Sequence, residues 1–172
     1  MAKPVRVYWD ACTWIAYINE ERATPKDDRT GENRFSMCKA VLKSAQAGDV
    51  EIVTSALTLA EVCKSEEARN ESLGRLPTFL DHEFILVVAV DKNIGIKAQS
   101  IQLSGMTGIK PPDAVHLATA QRANVREFHT FDDSLLKKDG QINAVNGHVI
   151  KCCKPGEGYQ EGTLFEGEDK ED

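Results

Sequence analysis

The sequence lacks any uninterrupted apolar run near the roughly 18 residues that a membrane-spanning helix requires. Its first residues, Met1-Ala2-Lys3-Pro4, lead straight into Val5-Arg6-Val7-Tyr8-Trp9-Asp10, without the apolar stretch and small-residue cleavage site of a secretory signal. The expectation is a cytoplasmic chain with no membrane contact. Cysteine is sparse and odd in number: Cys12, Cys38, Cys63, Cys152 and Cys153. No Cys-x-x-Cys occurs, and the cysteines and histidines are scattered. A disulfide framework and a zinc site are both disfavoured, and reduced, mostly buried thiols are expected. A basic excess is missing too. The net charge is -6, and the segment from Lys154 to Asp172 carries seven acids against Lys154 and Lys170. The acidity thus sits mostly in the tail. The chain is not a passive, strongly basic nucleic-acid binder, but its charge excludes no nucleic-acid substrate.

What is present suits one domain. The 172 residues are 41% hydrophobic and 28% charged, ordinary for a globular protein. Strand-like and helix-like segments alternate. Val5 to Trp9 reads as a strand and Cys12 to Glu20 as a helix, followed by a polar loop over 21–33. Phe35 to Ala47 reads as a helix, Glu51 to Thr54 as a strand and Ser55 to Lys64 as a helix. Ala68 to Leu80 reads as one or two helices broken at Gly74 and Pro77. Phe84 to Val90 is an apolar run expected as a strand covered on both faces. Asp91 to Met106 and Asp113 to Ala123 are helical, the latter opened by Pro111-Pro112. Glu127 to Phe131 reads as a strand with a turn at Asp132-Asp133, and Gly147 to Cys152 as another strand. The expected fold is a three-layer α/β/α sandwich around a parallel sheet of four or five strands. The expected domain spans 1–153. An acidic tail over 154–172, with four glycines and few apolar residues, is expected to be poorly ordered.

In an open parallel sheet, ligands gather beyond the carboxyl ends of the strands. Asp10 ends the first strand and Asp132 the fourth. Asp113 stands in a first helical turn, and Glu61 on the helix after the second strand. Right-handed crossovers allow all four to meet at one rim. Two unit charges about 4 Å apart repel by on the order of 4 kcal/mol at an intermediate dielectric, so such a cluster raises pKa values or recruits a cation. An all-oxygen set suits Mg2+ or Mn2+, and one or two such ions serve phosphodiester hydrolysis. Each acid also has an ordinary structural reading. Asp10 and Asp132 are potential helix caps, and Asp113 favours a helix dipole. Thr58-Leu59-Ala60-Glu61 matches a capping box, with Ser55 as an equally good cap.

Four segments carry a family resemblance: Trp9-Asp10-Ala11-Cys12-Thr13-Trp14-Ile15, Thr54-Ser55-x-Leu57-Thr58-x-x-Glu61-Val62, Pro112-Asp113-Ala114-x-His116-Leu117-Ala118-Thr119-Ala120 and Thr130-Phe131-Asp132. In order and spacing they resemble the motifs of PIN-domain nucleases, including VapC-type toxins, over about residues 5–152. The resemblance implies a Mg2+- or Mn2+-dependent endoribonuclease that leaves 5′-phosphates, an RNA substrate, commonly a homodimer, and in toxins a silencing antitoxin protein. It assigns Asp10, Glu61, Asp113 and Asp132 as the catalytic, metal-holding quartet. Thr13 matches a supporting hydroxyl residue, and Asp133 stands as a fifth acid. His116, one turn from Asp113, either touches substrate or a ligating acid, or is a packed helix residue. Arg22, Lys26, Arg29, Arg34 and Lys110 are candidates for gripping the RNA backbone. The long loop after the first helix and the acidic tail depart from the compact toxin pattern.

Two alternatives stay open. A haloacid-dehalogenase-like phosphatase would need Asp-x-Asp after the first strand, but Cys12 occupies the second position. A PIN fold used only for binding or regulation would not require four clustered acids.

Overall fold

The computed structural model describes residues 3–21 and 32–156. Most of the expected polar loop and of the acidic tail lies outside these residues. The elements run β1 (Val5–Trp9), α1 (Ala11–Ile18), α2 (Arg34–Gln46), β2 (Val50–Ser55), α3 (Thr58–Glu61), a 3-10 turn (Val62–Lys64), α4 (Glu66–Leu80), β3 (Ile85–Val88), α5 (Lys92–Leu103), α6 (Pro111–Ala123), β4 (Glu127–His129), α7 (Asp133–Leu136), β5 (Ile142–Asn143) and β6 (Val149–Cys153).

The sheet order is β3-β2-β1-β4-β6-β5. Every pairing is parallel except β5 with β6. The alternation of side chains along β1 explains the layering. Val7 and Trp9 face one core, shared with Trp14 of α1, Val41 of α2 and Leu76 and Leu80 of α4. Tyr8 faces the other core, shared with Ile94 and Ala98 of α5, Leu117 of α6 and Phe128 of β4. Helices therefore cover both faces of a mostly parallel sheet, and the expected α/β/α sandwich is the observed fold.

Several local expectations change. The sheet gains β5, a two-residue antiparallel strand too short to leave a periodic signal. The strand in the apolar run at 84–90 is covered on both faces but shorter than the run. It forms the sheet edge as four residues, three of them only half-buried, and Val90 is exposed. The run is apolar because Phe84 and Val87 pack against one core and Leu86 and Val88 against the other. No helix starts at Ser55, because β2 continues through Ser55, which pairs with Val88. The chain then makes only the short α3 and the 3-10 turn. By contrast, α4 runs unbroken past Pro77. A proline inside a helix costs about 3 kcal/mol. Burial of Leu76 and Leu80, worth about 1.5–3 kcal/mol each, offsets that.

The starts of α1, α2, α5 and α7 are fixed by side-chain caps. Asn33 accepts the Ser36 amide at 2.9 Å, Asp10 that of Thr13 at 2.9 Å, Asp91 that of Ile94 at 2.9 Å and Asp132 that of Ser134 at 2.7 Å. Asn33→Ala should cost about 1 kcal/mol, lowering the Tm by roughly 2–4 °C in a chain of this size. Thermal unfolding followed by circular dichroism checks it.

Candidate functional site

The carboxyl ends of β1 and β4 adjoin the starts of α1, α6 and α7 at a pocket of about 190 Å³. Its walls include Asp10, Cys12, Glu61, Lys64, Lys110, Asp113, His116 and Asp132. The four acids singled out in the sequence thus line one pocket. Asp133 does not: it is exposed at the first position of α7 and absent from the walls. Asp132 is the extended cap residue of α7 and Asp133 its first helical residue, so the two side chains leave the chain in different directions.

Each of the four carboxylates has one oxygen clamped by the protein. Asp10 Oδ1 accepts the backbone N–H and the hydroxyl of Thr13, both at 2.9 Å, and the Cys12 thiol at 3.0 Å. Glu61 Oε2 meets His116 Nε2 at 2.5 Å. Asp113 Oδ2 accepts the Lys110 backbone N–H at 2.9 Å, and Asp132 Oδ1 accepts the Ser134 N–H. The second oxygens are less committed. Asp10 Oδ2 takes only the Cys12 thiol, at 3.1 Å, and Glu61 Oε1 takes the Lys64 ammonium at 2.5 Å. Among the described residues, no hydrogen bond reaches Asp113 Oδ1 or Asp132 Oδ2. Carboxylates held by one oxygen and available at the other are pre-oriented for a cation.

The structural readings of these acids prove compatible with the pocket, except at Glu61. Asp10 and Asp132 cap their helices, and Asp113 accepts the amide just before α6, while all three line the cavity. The Thr58–Glu61 capping box is not formed. Thr58 pairs its hydroxyl with Thr54 at 2.9 Å, and Glu61 turns to His116 and Lys64. Thr13, which the resemblance matches to a supporting hydroxyl residue, contacts Asp10 directly. Its hydroxyl donates to Asp10 Oδ1 and also lies 3.0 Å from the His129 carbonyl, tying the end of β1 to that of β4.

His116 is 2% exposed and bridges two groups. Its Nδ1 lies 2.7 Å from the Tyr8 hydroxyl. Burial, then the charge of Asp10, pushes the Tyr8 phenol well above its ordinary pKa, so Tyr8 is a neutral donor. Tyr8 O–H therefore donates to Nδ1, and Nε2–H is left to donate to Glu61. Sequence reasoning included His116 but missed Tyr8 and Lys64. For Lys64 a signal existed, since Glu61 and Lys64 stand three apart on a helical segment.

The electrostatics match a site short of positive charge. Burial, with a further contribution from Asp132, raises the Asp113 pKa, although Lys110 and His116 oppose the rise. The charge on Asp113 is thus unfavourable where it sits, and a cation would relieve it. Glu61 shifts the other way, from an ordinary 4.5 to about 2, through the His116 hydrogen bond first and Lys64 next, against burial. A carboxylate with a depressed folded-state pKa adds stability above its unfolded value, and that stability is lost as pH falls through the folded one. Acid unfolding of the native chain should therefore include a component between about pH 4.5 and 2 that Glu61→Gln lacks. Urea midpoints measured across that range check it.

The donor set fits a hard divalent cation: four carboxylates and no nitrogen ligand left over, since both ring nitrogens of His116 are engaged. The pocket also has room for hydration at about 30 Å³ per water. A more compact donor group exists elsewhere, at Glu127, His129 and Cys153, whose ligand atoms lie within 4.8 Å of one another. It does not suit a metal. Trp9 Nε1–H donates to His129 Nδ1 at 3.1 Å, which places the imidazole proton on Nε2, where it donates to Glu127 at 2.8 Å. Metal on Nε2 would force a proton onto Nδ1, against the indole N–H.

Of the cations considered for holding a nucleic-acid backbone, Lys110 lines the pocket. Arg34 is bonded to Glu21 and Glu32 and lies 4.8 Å from the centre of the Phe131 ring. Arg22, Lys26 and Arg29 fall outside the described residues. Among those described, no helix is long and apolar enough to cross a membrane.

Comparison with known proteins gives a consistent result. The PIN domain family model matches residues 7–141. No curated protein matches the sequence significantly. Among solved structures, Mycobacterium tuberculosis VapC20, described as a sarcin-ricin loop cleaving toxin, superposes with a TM-score of 0.51 at 17% identity, over 74% of this chain and 90% of that one. A toxin-antitoxin complex from Klebsiella pneumoniae gives a TM-score of 0.50 at 17% identity, over 73% and 86%.

Proposed function

The chain belongs to the PIN domain family, and from that premise we propose that it is a Mg2+- or Mn2+-dependent endoribonuclease acting as the toxin of a toxin–antitoxin pair. One observation carries the reading: Asp10, Glu61, Asp113 and Asp132 line a single pocket, each with one oxygen anchored by the protein. These four side chains would hold the cation. When bound, the cation supplies Lewis acidity and charge neutralisation to a phosphodiester.

The protein's own groups do the rest. Thr13 fixes the Asp10 carboxylate, and Tyr8 with His116 fixes that of Glu61. Lys64 and Lys110, at the walls, attract the polyanionic substrate. The likeness to toxins of known structure favours an antitoxin partner, and the family resemblance favours a homodimer. In this reading the nuclease domain spans 1–153 and acts in the cytoplasm, and the acidic segment 154–172 lies outside it.

A phosphatase gains nothing from the geometry. The Cys12 thiol donates a hydrogen bond to Asp10, and burial with the Asp10 charge raises its pKa far above that of a usable acid. The test is incubation of the purified chain with single-stranded and structured RNA under Mn2+, Mg2+ or EDTA. Cleavage with either ion and none in EDTA is expected. Hydrolysis of a phosphomonoester without RNA cleavage would favour the phosphatase. No cation binding at all would leave a binding module.

A further inference from the structure

Lys64 sits where its charge meets two claims. Its ammonium lies 2.5 Å from Glu61 Oε1, the oxygen not held by His116. The Glu61 side chain is 10% exposed and that of Lys64 is 67% exposed. One partner is therefore fixed and buried, and the other is a long, solvated arm. An ordinary surface pair of this spacing would have two mobile partners and no cavity beside it. Here both residues line the pocket.

Resting on the nuclease reading, we propose that Lys64 is an exchangeable positioning residue: it neutralises Glu61 in the free protein, yields that oxygen when a divalent cation enters, and then holds a phosphate of the bound RNA. The charges close. The pocket walls carry four carboxylates and two lysines, an excess of two negative charges when all are ionised. One divalent cation cancels that excess overall, and by taking the Glu61 oxygen it removes the direct contact of the Lys64 ammonium. The phosphate arriving with RNA restores a partner for it. The exchange keeps the buried Glu61 paired, with the cation in place of the ammonium, and leaves the charge of a largely exposed lysine to solvent.

Binding separates this exchange from catalysis. Calorimetric titration with Mn2+ alone compares the native chain with Lys64→Met and Lys110→Met. Binding of a labelled short single-stranded RNA, by fluorescence anisotropy with Ca2+ in place of Mg2+, is followed across a salt series. At its exposure, Lys64→Met leaves the fold intact. It should bind Mn2+ about two- to fivefold more tightly, because the internal competitor is gone. Its RNA affinity should fall, and the slope of log affinity against log salt should become shallower by about 0.7, the value of one phosphate contact on a single strand. Lys64→Arg should restore the slope. Lys110→Met should weaken RNA binding without tightening Mn2+.

Equal Mn2+ tightening in both methionine variants would reduce the effect to net charge and overturn the exchange. An unchanged salt slope in Lys64→Met would leave that lysine a counter-ion only, and would overturn the transfer to phosphate. Either result, in a chain that still cleaves RNA with Mn2+, leaves the nuclease reading standing. A native chain that neither binds Mn2+ nor cleaves RNA removes both.

Discussion

Asp10→Asn should reduce RNA cleavage by about a hundredfold or more while leaving the fold nearly as stable as before, the scale being that of losing one electrostatic partner of a transition state. The two effects separate because Asp10 has two tasks. As the cap of α1 it accepts the Thr13 amide, and asparagine caps a helix about as well as aspartate. As a wall of the pocket it supplies charge, and an amide supplies none. The expected stability change is therefore under about 1 kcal/mol. Asp10→Ala should lose the same activity and also about 1 kcal/mol of stability. Cleavage rates and unfolding midpoints measured on the same preparations separate the tasks. Unchanged cleavage in Asp10→Asn, with a loss only in Asp10→Ala that tracks its lower stability, would mean that the residue is only a cap.

His116→Phe should give the largest loss of stability. The ring would still fill the space, but Glu61 Oε2 would lose its buried donor and the Tyr8 hydroxyl its acceptor. An unsatisfied buried group costs about 1–3 kcal/mol, and more when charged, so about 3–4 kcal/mol is expected. In a chain of this size that is a Tm lowered by roughly 6–16 °C. His116→Gln, whose amide can still donate to Glu61, should recover about half of the loss. A shift of only 1–2 °C in His116→Phe would show that Lys64 and solvent satisfy Glu61 without the histidine.

Asp10 and Asp132 were legible because a strand end in a parallel sheet is a fixed address, and Asp113 because Pro111-Pro112 marks a helix start. The layering was legible from the alternation of strand-like and helix-like segments. The environment of Glu61 was not. The contacts of His116 with Tyr8 and Glu61 span 108 and 55 residues of sequence, and only tertiary packing brings them together. Local pattern offered Thr58 and Ser55 equally as caps; β2 runs through Ser55, and the Thr58 hydroxyl is taken by Thr54. The apolar run at 84–90 showed that its strand is covered on both faces, but not its place in the sheet. Hydrophobicity reports that a strand is covered, and an edge strand packed by helices on both sides reads like a central one. At Pro77 the local rule for breaking a helix was overruled by the buried leucines on either side of it.

The claim on which the account stands is that Asp10, Glu61, Asp113 and Asp132 form one cation site. Calorimetric titration of Mn2+ into the native chain and into Asp113→Asn tests it most directly. The account predicts saturable binding by the native chain, weakened about tenfold or more by the substitution, on the scale of disturbing a metal's protein shell. Equal affinity in the two proteins, or no binding by the native chain, would contradict it.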